Sequence, residues 1–171
     1  MNKVILILTL ISFTFSCKAQ MLTNELTTEQ FNNIKINGIL KTAIEDTGGN
    51  VTQMESLFGE PLLIEEQEGG IEEGYRNFIY NNLSFTFSNI YSSESDGFIE
   101  SFETDNITIN DVTIHVGDNI AVLGSDIVFN NRKDGTKSII FTHLFYDCCP
   151  IIIEYNQLTN TITKIEYVVF S

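Results

Sequence analysis

The chain has 171 residues, with nine Lys and Arg against 23 Asp and Glu, for a net charge of −14. So acidic a surface repels nucleic-acid phosphates and anionic headgroups, which excludes nucleic-acid binding as a main role. Two histidines and three cysteines leave little material for a metal centre.

The first element is an export signal over residues 1–16. Lys3 gives a positive start, and Val4 to Phe15 is an apolar run broken only by Thr9, Ser12 and Thr14. That is the length of a signal core and shorter than the roughly 20 apolar residues a bilayer span needs. Thr14-Phe15-Ser16-Cys17 follows, with a small residue ahead of the cysteine, and resembles a bacterial lipobox. Cys-Lys-Ala-Gln after a short apolar run is similar to the start of small Bacteroidota envelope lipoproteins. The resemblance implies lipidation at Cys17 and cleavage before it, although Phe15 is bulky and Thr14 stands where an aliphatic residue is preferred. The competing reading is ordinary cleavage after Cys17-Lys18-Ala19, which releases a soluble protein from Gln20. Removal of residues 1–16 leaves 155 residues, enough for one compact domain. Losing Lys3 leaves eight cationic residues against 23 acidic ones, a net charge of −15.

Residues 17–33 read as the anchor, a linker and a short N-terminal segment. Ile34-Lys35-Ile36 is a short alternating strand running into Asn37-Gly38, a strong hairpin turn. Val51, Met54, Leu57 and Phe58 share one helical face, with Asn50 as the cap and Gly59 and Pro61 as the stop. Glu65, Glu66, Glu68, Glu72 and Glu73 around Gly69-Gly70 read as a solvated loop. Asn77 to Ser88 is a strand in which Leu83, Phe85 and Phe87 alternate with Ser84, Thr86 and Ser88. Asp96-Gly97 turns into the strand Phe98–Phe102. Ile107-Thr108-Ile109-Asn110-Asp111 then repeats the opening hairpin. Asp118 is expected to cap a second helical piece, with Ile120 and Leu123 inward and Gly124 as its end. Asp134-Gly135 is another turn, followed by strands over Thr142–Tyr155 and Ile162–Tyr167.

The chain thus reads as two copies of one unit, residues 34–106 and 107–171, offset by 73 residues at the hairpins and 63 at the closing strands. A short helix followed by an antiparallel meander, twice, resembles the tandem fold of β-lactamase-inhibitor proteins and of small outer-membrane assembly lipoproteins. The resemblance implies an α+β protein with one curved sheet, short helices on one face, and an open concave face that binds a protein partner. No signature residues carry it. An α+β domain without internal symmetry is the alternative.

No group of residues makes a catalytic, cofactor or metal motif. His115 shares the polar face of its strand with Thr113, and His143 adjoins Thr142; both read as surface positions. A zinc site from the two needs proximity and a carboxylate. No Gly-x-Ser-x-Gly elbow exists, and His143 with Cys148 or Cys149 is a cramped nucleophile pair on one strand run. The acidic run around Gly69-Gly70 lacks the spacing of a calcium loop. Asp46–Asn50 and Gly117-Asp118 read as helix entries rather than phosphate loops. Cys148 and Cys149 precede Pro150, and adjacent strand residues face opposite ways, so two free structural thiols in a strand or bulge are expected. An oxidising compartment argues the other way.

The functional expectation is a non-enzymatic, lipid-anchored binding module of the cell envelope. It is anchored to the outer membrane, facing periplasm or cell surface, and engages an unidentified protein partner that carries a basic patch, without a cofactor. The alternatives are a small-ligand carrier or hydrolase with a pocket between sheet and helices, or an inhibitor or immunity-type protein.

Overall fold

The computed structural model describes residues 23–68, 74–88, 90, 97–131 and 137–169. The export signal, Cys17, Glu72, Glu73, Asp96, Asp134 and Gly135 lie outside them. The protein is an α+β fold built on one large curved sheet with a few short helices. No helix of the described residues is long and apolar enough to cross a membrane.

Strand β1 (Asn24–Leu26) leads into helix α1 (Thr28–Asn32). Thr27 and Gln30 close a reciprocal capping box at its start. Strands β2 (Lys35–Ile36) and β3 (Ile39–Leu40) form the first hairpin. Asn37 and Gly38 both have positive φ, 48° and 82°, as the twist-matched two-residue turn requires. Helix α2 (Lys41–Glu45) was not foreseen; at five residues it is too short to show a period. Helix α3 (Val51–Phe58) is as expected, with Asn50 accepting from the Gln53 amide at 3.1 Å and Gly59 at φ 79° ending it.

The acidic run is corrected: Glu65, Glu66 and Glu68 belong to strand β4 (Leu63–Glu68), because the β-branched and apolar start pairs in register with β5 (Gly74–Tyr80). The expected single strand Asn77–Ser88 is two, β5 and β6 (Leu83–Ser88), reversed at Asn81-Asn82, where Asn82 takes φ 58°. Asn tolerates that region better than other non-glycine residues. Strand β7 (Phe98–Thr104) follows. The second hairpin is β8 (Asn106–Ile109) and β9 (Val112–His115), with Asn110 and Asp111 both at positive φ. A 3₁₀ turn, Ile120–Leu123, takes the place of a second helix. Its cap is Asn119, which accepts from the Ala121 amide at 3.0 Å, and not Asp118. Asp118 instead accepts from the backbone of His115 at 2.8 Å. Strands β10 (Phe129–Asn131), β11 (Lys137–His143), β12 (Tyr146–Asn156) and β13 (Thr161–Val168) complete the chain.

The large sheet runs β1-β11-β12-β13-β7-β6-β5-β4, with β10 beside β1 on the outer edge of β11. Its pairings are antiparallel except β1 with β11. The two hairpins join through β2 and β8 into a small sheet, β3-β2-β8-β9. Small sheet and helices cover one face of the large sheet. Across that face a row of register partners, Phe78, Phe85, Phe102, Tyr167, Ile151 and Phe141, forms the floor of the core. Phe58 of α3 closes on Phe85 at 5.3 Å between ring centres, and Phe102 stacks on Tyr167 at 5.1 Å. Burying such rings at roughly 25 cal/mol per Å² is the main stabilising term here.

Candidate functional site: the uncovered face of the sheet

In a strand, side chains alternate between faces, so the residues between the core aromatics point the other way. On β4 to β7 and β13 these are mostly polar, with Leu63, Tyr75, Ile79 and Val168 among them. Asn77 pairs with Thr86 and Thr86 with Ser101; Ser84 pairs with Glu103 and Glu103 with Glu166. Among the described residues these side chains are half-buried or exposed, whereas on the same face of β11 and β12 Ser138, Ile140, Thr142 and Ile152 are buried. The exposed stretch is therefore the β4–β7 half together with β13.

Two clefts open on this face, and a β-bulge floors each. In β7, Thr86 faces Ser101 and Phe87 faces Ile99, leaving Glu100 as the extra residue. In β13, Glu154 faces Lys164 and Tyr155 faces Ile162, leaving Thr163 extra. A bulge sets neighbouring side chains toward one side and bends the strand. The first cleft, of about 370 Å³, is lined by Gln67, Tyr75, Asn77, Thr86, Glu100 and Ser101, with Val168 at its end. The second, of about 530 Å³, lies where the β5–β6 and β7–β8 turns meet β13 and includes Asn82, Ser84, Glu103, Asp105, Thr163 and Lys164.

The electrostatics of the two clefts differ. In the second, Lys164 Nζ donates to Glu166 at 2.7 Å and reaches Glu103 at 3.3 Å. The hydrogen bond to Glu166 is the main reason its ammonium titrates above the usual lysine value, against an opposing desolvation. In the first, no Lys or Arg among the described residues lines the wall. There Glu100 Oε2 and Asn77 Oδ1 are shielded from solvent and accept no hydrogen bond.

The singled-out histidines and cysteines lie elsewhere. His115 is exposed on β9 as expected, with Nδ1 3.2 Å from Asp118 and Nε2 3.3 Å from the Asn106 amide. His143 is corrected: it is 6 % exposed. Phe31 meets its ring edge-on at 5.3 Å, the Phe145 amide donates to Nδ1 at 3.1 Å, and Nε2 lies 3.2 Å from Thr28 Oγ1. Because Nδ1 accepts, the ring proton sits on Nε2. The chain packs α1 over the end of β11, which alternation within β11 alone does not announce. Cys149 is also corrected: it is disulfide-bonded, so the expectation of two free thiols fails. The bulged part of the forecast stands, since the pairing jumps from Phe141–Ile151 to His143–Tyr146 around Pro150; the side chain of Cys148 lies outside the described residues. Among the described residues no three His, Cys, Asp or Glu converge as a metal site. At Asp46–Asn50 the turn is filled by its own bonds, with Thr47 Oγ1 donating to Ile44 O at 2.7 Å and Arg76 donating to Gly49 O at 2.6 Å.

Sequence reasoning missed Glu100 and Lys164 as cleft residues. A signal was present: Ile99-Glu100-Ser101-Phe102 and Ile162-Thr163-Lys164-Ile165 each place two polar residues between apolar ones, which breaks the period of two and marks a bulge.

No family model and no curated protein matches the sequence. Among solved structures, a cysteine-rich secretory protein from Staphylococcus aureus aligns with 14% identity and a TM-score of 0.43, over 85% of this chain and 50% of that one. The chain spans half the length of that protein, and a likeness at this level carries no argument about activity.

Proposed function

We propose that this is an exported, non-enzymatic binding module, held on the envelope by a lipid at Cys17, which engages a protein partner with the uncovered face of its sheet. The observation that carries the reading is that face itself: a broad surface of Ser, Thr, Asn and Glu interspersed with Leu63, Tyr75, Ile79 and Val168, indented by two clefts and backed by a packed aromatic core. The space between sheet and helices is filled by rings such as Phe58, Phe85 and Phe78, which disfavours a carrier or hydrolase pocket there. The hydroxyls of Ser84, Thr86 and Ser101 have neither described histidine beside them, which disfavours triad chemistry. A partner with a basic surface fits the net charge of −15 on the mature chain.

The same reading takes the chain as two copies of one unit, 34–106 and 107–171. The strand order supports it: β4-β5-β6-β7 on one side of the sheet is mirrored by β10, β11, β12 and β13 on the other, meeting at the antiparallel β7–β13 seam. The hairpins likewise meet through their first strands, both turn on paired positive-φ residues, and the two bulges lie at equivalent places in the closing strands. This arrangement is in keeping with the tandem inhibitor and assembly-lipoprotein folds named above.

Capture from envelope extract by the mature protein tests the function. Wild-type protein and a helix-side control, Gln53→Arg, retain one stoichiometric partner, and Thr86→Arg with Glu103→Arg on the sheet face loses it. Equal capture by both variants overturns the assignment of the face. A peptide map without reduction tests the anchor. A lipidated Cys17 has no thiol, so of three cysteines only Cys148 is then left to bond Cys149; a Cys17–Cys149 peptide refutes lipidation.

A further inference from the structure

We propose that the cleft beside the β7 bulge receives a cationic side chain, a guanidinium or an ammonium group, as the anchor point of the partner; this deepens the binding reading above and rests on it. Three observations converge. The lining brings Gln67, Tyr75, Asn77, Thr86, Glu100 and Ser101 together from four strands and, among the described residues, includes no Lys or Arg. Two acceptors in that wall, Glu100 Oε2 and Asn77 Oδ1, are shielded from solvent with no protein donor. A shielded acceptor left unmade costs free energy that a donor delivered through the cleft restores, and most of all when the acceptor is a carboxylate. The bulge, finally, is what puts Glu100 on this face; in a regular strand ending at Phe102 its position would alternate into the core side, beside Phe102.

The neighbouring cleft makes the contrast. There Glu103 and Glu166 already hold Lys164, so the same backbone device is filled by the chain's own cation. In the β7 cleft no cation of the described residues meets the carboxylate. Tyr75 is 37% exposed at the rim, where a ring attracts a cation on its face.

The test is an NMR titration of the isotope-labelled mature protein with N-acetyl-arginine amide, N-acetyl-lysine amide and the neutral isostere N-acetyl-citrulline amide. The arginine and lysine probes should shift the side-chain amides of Asn77 and Gln67 and the backbone of Ser101, with citrulline weaker by about tenfold or more. Glu100→Gln should weaken the cationic probes by a similar factor, while Glu103→Gln leaves them unchanged. Citrulline binding as well as arginine, or shifts spread evenly over the acidic surface, overturns the site, and so does wild-type affinity in folded Glu100→Gln. The probe comparison needs only wild-type protein, so misfolding of a variant does not remove the test. Partner capture that survives Glu100→Gln sinks this site and leaves the binding face standing; cation binding without any captured partner does the reverse.

Discussion

Two tyrosines carry the clearest pH signature. Tyr167 is 5% exposed in the core, and burial, with the Glu45 carboxylate second, pushes its phenol up to about 12 from 10.0. Tyr80 is pushed to about 12 by burial first and Glu55 second. A phenol whose folded pKa lies above its unfolded one favours folding while it is neutral. Its contribution is intact below pH 10 and is lost as the pH rises from 10 toward 12. Thermal midpoints should therefore fall over that window, and Tyr167→Phe should flatten the fall; an unchanged slope in the variant refutes the assignment. Tyr80 carries a second consequence, because its hydroxyl is buried without a partner. Removing an unsatisfied group is neutral or stabilising, so Tyr80→Phe should keep or raise the unfolding free energy measured in urea, by up to about 1 kcal/mol. A clear loss of stability would show that the hydroxyl is bonded in solution.

At the scale of the element, the hairpin turns are the sharpest case of sequence dictating backbone. Gly38 at φ 82° has no atom within 4 Å of where a Cβ would stand. Gly38→Ala thus meets no clash and costs only the left-handed backbone, about 1–2 kcal/mol by chemical denaturation. Asp111 holds φ 63° with a side chain, so Asp111→Gly should stabilise slightly. If both substitutions destabilise alike, backbone conformation is not what governs these turns. These hairpins, helix α3 with its cap and stop, and the alternating strands were legible because each carries a local signal that tertiary packing then agrees with. Helices α1 and α2 were not, since five residues show no period. The β5–β6 reversal hid in an Asn-Asn pair rather than Asn-Gly. Cleft residues hid for a related reason: a bulge looks like a fault in alternation until the partner strand is known. The burial of His143 depends on α1, and the Cys149 disulfide on the irregular backbone around Pro150; neither is written in nearest-neighbour pattern.

The whole molecule is held by contacts distant in sequence. β7 pairs with β13 at the middle of the sheet, and β2 pairs with β8 in the small one. Neither half of the large sheet is closed without the other, since Phe102 lies against Tyr167 across the seam. Truncation after Asn160, which removes β13, should unfold residues before the seam as well as after it. Limited proteolysis then cuts throughout; protection persisting over residues 34–104 would mean that the first half folds by itself. The placement of β13 also sets a timetable. A chain is made, and threaded across any membrane, from its N-terminus, so β7 appears long before the strand that will cover its inner edge. Until β13 arrives, an edge carrying Phe102 stands open to other chains, a standing invitation to aggregate. The rate of delivery of this protein, and not only its final stability, therefore governs how much of it reaches the folded state.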